Sequence, residues 1–164
     1  MKNDARDGSM PGEDMPLTRA AQFLLDECRM VLPGIQALFG FQLIAVFNPT
    51  FSQVLGPDER LLHLLAIVLV TVAIALIMTP AAYHRQTGPQ QVTEAFIRLS
   101  TRLMLWSMLP LCVSICLDLY LIAKIIVDDV LAPLLAVAVF TVFFVLWFVL
   151  PRAGALRGAV SKPQ

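Results

Sequence analysis

Four apolar runs, at about residues 31–51, 61–79, 99–126 and 130–150, constrain this chain more than any other feature of it. A hydrocarbon core of about 30 Å takes about 20 residues of helix to cross, and each run is of that order. In lipid every backbone N–H and C=O needs a partner from the protein itself, which for runs of this length means α-helix. The chain is 58% hydrophobic and 15% charged over 164 residues, whereas a soluble domain is roughly 45–50% and 25%. The runs account for the excess and leave no room for a soluble catalytic domain beside them. The expected class is all-α: an integral membrane protein with four transmembrane helices preceded by an amphipathic interfacial helix.

Residues 1–16 are polar and rich in Gly and Pro, with no apolar stretch to form a signal-peptide core; they read as a flexible cytoplasmic tail. Over 17–32 the apolar residues Leu17, Ala20, Ala21, Leu24, Cys28, Val31 and Leu32 recur at helical spacing opposite Arg19, Gln22, Asp26 and Arg29, the pattern of an amphipathic helix lying in the interface. Pro33-Gly34 then interrupts the pattern as a kink or a fresh helix start. The four-helix domain covers 31–151, Pro80 is expected to close the second span, Asp128-Asp129 leaves room only for a tight turn, and 152–164 forms a second cytoplasmic tail.

Net charge is zero, so there is no basic field to gather nucleic acid. The expected partners are the lipid bilayer and further copies of the chain or a larger membrane complex. No cofactor is implied. Cys28, Cys112 and Cys116 are an odd set without metal-ligand neighbours and read as small buried hydrophobes. The sequence holds no phosphate loop, HExxH, CxxC, nucleophile triad or arginine ladder, and the expectation is not an enzyme, with no catalytic and no metal-ligating residue.

The informative residues are polar groups inside apolar runs. An unpaired acid in a transmembrane helix costs several kcal/mol. Asp118 lies fifteen residues beyond Leu103, about 22 Å across the core, and shares a face with Ser107 and Ser114. It has three readings: an interfacial acid, a structural hydrogen-bond acceptor, or a proton-handling site. His63 enters the second span from the outer side at a similar depth to Asp118 and Asn48, and with Arg60 these define an expected outer polar cluster, against which stands an interfacial histidine bonded to a loop carbonyl. Gln36 and Gln42 fall on different faces of the first span as interhelical glue, Gly40 sharing the Gln36 face and admitting a neighbouring backbone. At the other end Tyr83, His84 and Arg85 suit a headgroup anchor, or with Gln36 and Arg29 an inner polar cluster that binds an anion or gates a path.

The segments RMVLPGIQALFGFQLIAVFN at 29–48 and TPAAYHR at 79–85, with Arg60 opening the second span, resemble a family of small bacterial four-span membrane proteins without established function. Some relatives carry an automatic sodium:proton antiporter label, though known antiporter folds are far larger than four spans. The resemblance implies four spans and the bacterial inner membrane and transfers no mechanism. The function expected is an oligomeric ion or small-solute channel or transporter, or alternatively a structural or accessory subunit of a membrane complex.

Orientation follows from Lys and Arg in the short flanking segments. Lys2, Arg6, Arg19, Arg29, Arg85, Arg98, Arg102, Arg152, Arg157 and Lys162 fall on one side, against Arg60 and Lys124 on the other. Both termini are therefore expected in the cytoplasm. In a background lacking the native thiols, a cysteine at Gln53 should react with an impermeant reagent from outside and one at Ser161 only after lysis; the reverse pattern would overturn the topology.

Overall fold

A computed structural model of the protein describes residues 17–87, 93–127 and 130–152. The segments expected as tails, 1–16 and 152–164 except Arg152, and the Asp128-Asp129 turn lie outside the described residues. The elements are α1 (Leu17–Phe47), the short α2 (Phe51–Val54), α3 (Pro57–Thr87), α4 (Glu94–Ile126) and α5 (Leu131–Phe144), which passes into a π-helical turn at Val145–Val149. The fold is all-α, and four helices are long and apolar enough to cross a membrane.

Local chemistry explains the boundaries. Pro57 starts α3, where a missing N–H costs nothing, and Asp58 and Glu59 fall in the first turn with His84 and Arg85 in the last, each matching the helix dipole. Thr93 caps α4 by accepting the Phe96 N–H at 3.2 Å. Pro151 has no N–H to return to Trp147 four residues back, and its ring crowds that carbonyl; the wider π turn lies just before it.

The fresh helix start, one of two readings at Pro33, and the helix end expected at Pro80 do not occur. Pro33 lies inside α1, so the amphipathic segment and the first span form one continuous helix. Pro80 lies inside α3, which runs on to Thr87. In a lipid setting no water competes for the freed carbonyl, and neighbouring helices hold the chain in place.

Seven-residue repeats set the packing. Ala21, Cys28, Ile35 and Gln42 are the buried positions of α1; His63, Ala66, Val70, Ala73, Ile77 and Pro80 line one stripe of α3; Ser100, Ser107, Ser114 and Leu121 line α4. Such stripes specify shallow left-handed crossings with side chains interdigitating at close range. Cys28, Ile35, Val70 and Ile77 form the apolar centre, flanked by Met104 and Leu111 of α4. Contacts at Ala66–Ser114 and Glu59–Lys124 show α3 and α4 running antiparallel, and the same register sets Ala73 level with Ser107 and Pro80 level with Ser100. Small residue against small residue brings these two helices close. The helix α1 lies against both, and α5 packs on α4 with Ala132 as its buried residue while most of its surface remains exposed.

The glycines expected to admit a neighbouring backbone do not do so within the chain: nothing lies within 4 Å of a Cβ built at Gly34 or Gly40. The three cysteines are free and buried, as small apolar fillers.

Ala73 is fully buried and Ala138 is exposed on α5. Ala73→Leu should lower stability by about 1–3 kcal/mol in detergent unfolding, the usual cost of overpacking, while Ala138→Leu should change it by less than about 0.5 kcal/mol. Equal effects would show that the α1–α3–α4 interface is not close-packed.

Candidate functional site

One heptad above the apolar centre the stripes of all three helices become polar. Gln42 takes the next core position of α1 after Ile35, His63 precedes Ala66 on α3, and Ser114 and Asp118 are one turn apart on α4. Gln42 and His63 are 3% and 7% exposed and Ser114 is fully buried, so whatever hydrogen bonds they make must be to one another.

They form a connected network. The Gln42 Nε2 group donates to Ser114 Oγ at 3.0 Å and to Asp118 Oδ2 at 2.6 Å, using both of its protons. Ser114 Oγ passes its own proton to the Ala66 carbonyl at 2.9 Å. His63 Nε2 lies 3.0 Å from the Gln42 backbone oxygen, and because a carbonyl only accepts, that nitrogen carries a proton. The other ring nitrogen, Nδ1, is 3.5 Å from Asp118 Oδ1. At that distance no hydrogen bond is completed; a proton on the Nδ1 side would face Asp118 as imidazolium beside carboxylate, and one on Asp118 would face Nδ1 as carboxylic acid beside imidazole. The Phe51 ring covers the imidazole with centroids 5.2 Å apart.

Two acceptors remain over. Gln42 Oε1 and Asp118 Oδ1 are buried and make no hydrogen bond among the described residues. Both side chains, with His63, line a cavity of about 290 Å³ whose wall is otherwise apolar, from Leu38, Phe41, Phe51, Leu121, Ile122 and Ile125. Phe41, Ile122 and Ile125 are exposed on the outer surface of the bundle, so the cavity opens at the flank where lipid is expected.

Of the residues expected in the outer cluster, His63, Asp118 and Ser114 come together. Asn48 does not join them: its Oδ1 accepts the Thr50 N–H at 3.0 Å and shapes the exposed turn after α1. Arg60 turns outward and donates to the Leu55 and Ser52 carbonyls at 2.8 and 2.6 Å, holding the end of α2, whose last carbonyls have no helical partner. Ser107 is buried two turns further along α4 and donates to its own helix at Met104. The inner cluster does not assemble. Gln36 is exposed, Arg29 pairs within its helix with Asp26 at 3.7 Å, Tyr83 stacks on Phe96, His84 lies against the same ring at 6.0 Å, and Arg85 is exposed. An aromatic neighbour on α4 takes the two side chains that were expected to meet α1.

Gln42 is the member that sequence reading did not place in the site, although its seven-residue spacing from Ile35 and Cys28 marks a core position. The Glu59–Lys124 ion pair also went unread: Lys124 Nζ approaches Glu59 Oε1 at 2.5 Å and ties the start of α3 to the end of α4, one layer outside the network. Among the described residues no group of three His, Cys, Asp or Glu side chains converges as metal ligands.

Residues 13–151 match the model of a family of unknown function, DUF6328. The chain belongs to that family. The match runs through all four long helices, beyond the first half of the chain where the sequence resemblance was specific. No curated protein and no solved structure matches the chain.

Gln42→Leu removes both donors and leaves Asp118 Oδ2 with a lost partner, so it should destabilise the protein by about 1–3 kcal/mol. Gln36→Leu, at an exposed position of the same helix, should change stability by less than about 0.5 kcal/mol. Detergent unfolding of the two variants beside the wild type measures the difference; parity would show that the network carries no interhelical energy.

Proposed function

We propose that this protein resides in the bacterial inner membrane with both termini in the cytoplasm, and that it moves protons, or a small solute coupled to protons, through the Gln42–His63–Ser114–Asp118 site. The single observation carrying this reading is the pair of buried, unbonded acceptors, Gln42 Oε1 and Asp118 Oδ1, in the wall of a cavity where His63 Nδ1 faces Asp118 at 3.5 Å. Purely structural networks satisfy their acceptors, since each one left over costs about 1–3 kcal/mol, and an arrangement that keeps two of them is suited to a passing proton or ligand. Histidine and aspartate side by side exchange a proton with little rearrangement, and the surrounding apolar wall confines that exchange to the site. Four helices enclose little free space, so a continuous path is expected to form between copies of the chain, with the exposed apolar faces of α1 and α5 as the surfaces available for association. The motifs absent from the sequence argue against an enzyme.

The second reading, an accessory subunit of a membrane complex, draws on the long exposed apolar surface of α5 and on the way Gln42 cross-links three helices. Flux separates the two. In proteoliposomes with an imposed pH gradient, the wild type should move protons and Asp118→Asn, which keeps shape and hydrogen bonding, should reduce that flux by about tenfold or more while retaining assembly. Equal flux in both would remove the proton site, and loss of assembly in the variant would favour the accessory reading.

A further inference from the structure

The cavity at the Gln42–His63–Asp118 layer carries a more specific chemistry than proton passage. Its two unbonded groups are both acceptors: Gln42 Oε1, on a side chain 3% exposed, and Asp118 Oδ1. No described donor faces them except His63 Nδ1, which stands 3.5 Å from Asp118 Oδ1 without completing a hydrogen bond. The remaining wall is hydrocarbon and aromatic, and three rim residues, Phe41, Ile122 and Ile125, are exposed at the flank of the bundle. The complementary molecule has at least two N–H donors at one end, a positive charge opposite the carboxylate, and an apolar body small enough for about 290 Å³.

We infer that this cavity is a binding site for a lipophilic primary or secondary ammonium ion, entered from the bilayer flank, with the cationic head between Asp118 Oδ1 and Gln42 Oε1 and the tail among Leu38, Phe41, Leu121 and Ile122. This rests on the proposed function in taking the same site as the working one, and names its ligand class. A hydroxyl offers only one donor and no charge, and a quaternary ammonium offers charge without a donor. Among these head groups, the primary or secondary ammonium satisfies both acceptors and the charge.

The proton count adds a linkage. From α3 the site is faced by His63, from α4 by Asp118, from α1 by the neutral Gln42 and from α2 by Phe51; Glu59 and Lys124 neutralise each other one layer out, and Arg60 is spent on loop carbonyls. With one proton shared between them, beyond the one on Nε2, the His63–Asp118 pair would be neutral. Adding an ammonium ion leaves a buried net charge unless that proton departs, so the ammonium ion and the proton compete and binding releases one proton.

The test uses the full-length protein in lipid nanodiscs and radiolabelled n-octylammonium, with empty nanodiscs as the partition baseline. The expected result is saturable binding that tightens as pH rises below the amine's own titration, releases a proton into weak buffer, and is displaced by N-methyloctylammonium but about tenfold less well by n-octyltrimethylammonium, which has no N–H. Asp118→Asn should abolish saturable binding. Because that variant changes the charge at the network, Ile122→Trp supplies an independent arm: it fills the cavity from an exposed rim position and should weaken binding by about tenfold or more with unfolding unchanged. Absence of saturable binding, or equal displacement by the quaternary analogue, overturns the inference; so does full binding by either variant. If octylammonium fails to bind while proton flux still depends on Asp118, the ligand class falls and the proton reading stands. If it binds and neither proton nor amine crosses the membrane, the ligand inference stands and the transport reading falls.

Discussion

A buried polar side chain in a membrane-spanning bundle has only its neighbours for partners, and the positions of α1, α3 and α4 are bound up with that constraint. Gln42 is the joint. Its amide protons reach Ser114 and Asp118 on α4, while the carbonyl of the same residue receives His63 from α3. Three helices are thereby fixed in register by one residue. An amide–carboxylate hydrogen bond at 2.6 Å is among the stronger kinds available, and no water competes for it where the side chains are buried. The serines of α4 serve the same end more quietly, since small residues allow the close approach that puts Ser114 Oγ within reach of the Ala66 carbonyl.

The polar layer occupies a position that the packing repeat assigns to the core, and this explains both its rigidity and what sequence reading made of it. The four spans, their all-α class and the helical nature of 17–32 follow from hydropathy and spacing alone, because lipid leaves the backbone so few alternatives. Asp118, Ser114 and His63 were legible for a related reason: a polar residue within an apolar run stands out, and depth can be counted at 1.5 Å per residue. Depth was a poor guide where side-chain direction decides. Asn48 and Arg60 share the level of the network but sit where turn amides and helix-end carbonyls compete for them, and those backbone groups win. Gln42 does act as the expected interhelical glue, but its place in the site was hidden by comparison with Gln36, six residues away, when the informative comparison was Ile35 and Cys28 at seven and fourteen. Proline was over-read as punctuation at Pro33 and Pro80, a rule calibrated on helices that end in water.

Placing a titratable pair in such a joint couples chemistry to shape. A change in the proton held by His63 and Asp118 alters the strength of the Gln42–Asp118 bond, and with it the attachment of α1 to α4. The apolar centre below, built from Cys28, Ile35, Val70 and Ile77, has no polar groups to reorganise and acts as the fixed end of the lever. The outer end is held by the Glu59–Lys124 pair and by Arg60 on the α2 carbonyls. The site thus lies between two braced layers, with an apolar opening at the flank.

The most direct measurement of this account is the protonation of the His63 ring, by ¹⁵N solid-state NMR in bilayers with ring-labelled histidine and His84→Gln to leave a single signal. The network requires a protonated Nε2, hydrogen-bonded to the Gln42 carbonyl, with Nδ1 facing Asp118 and changing its shift in Asp118→Asn. A bare Nε2 with the proton fixed on Nδ1, or an Nδ1 signal indifferent to Asp118→Asn, would contradict it.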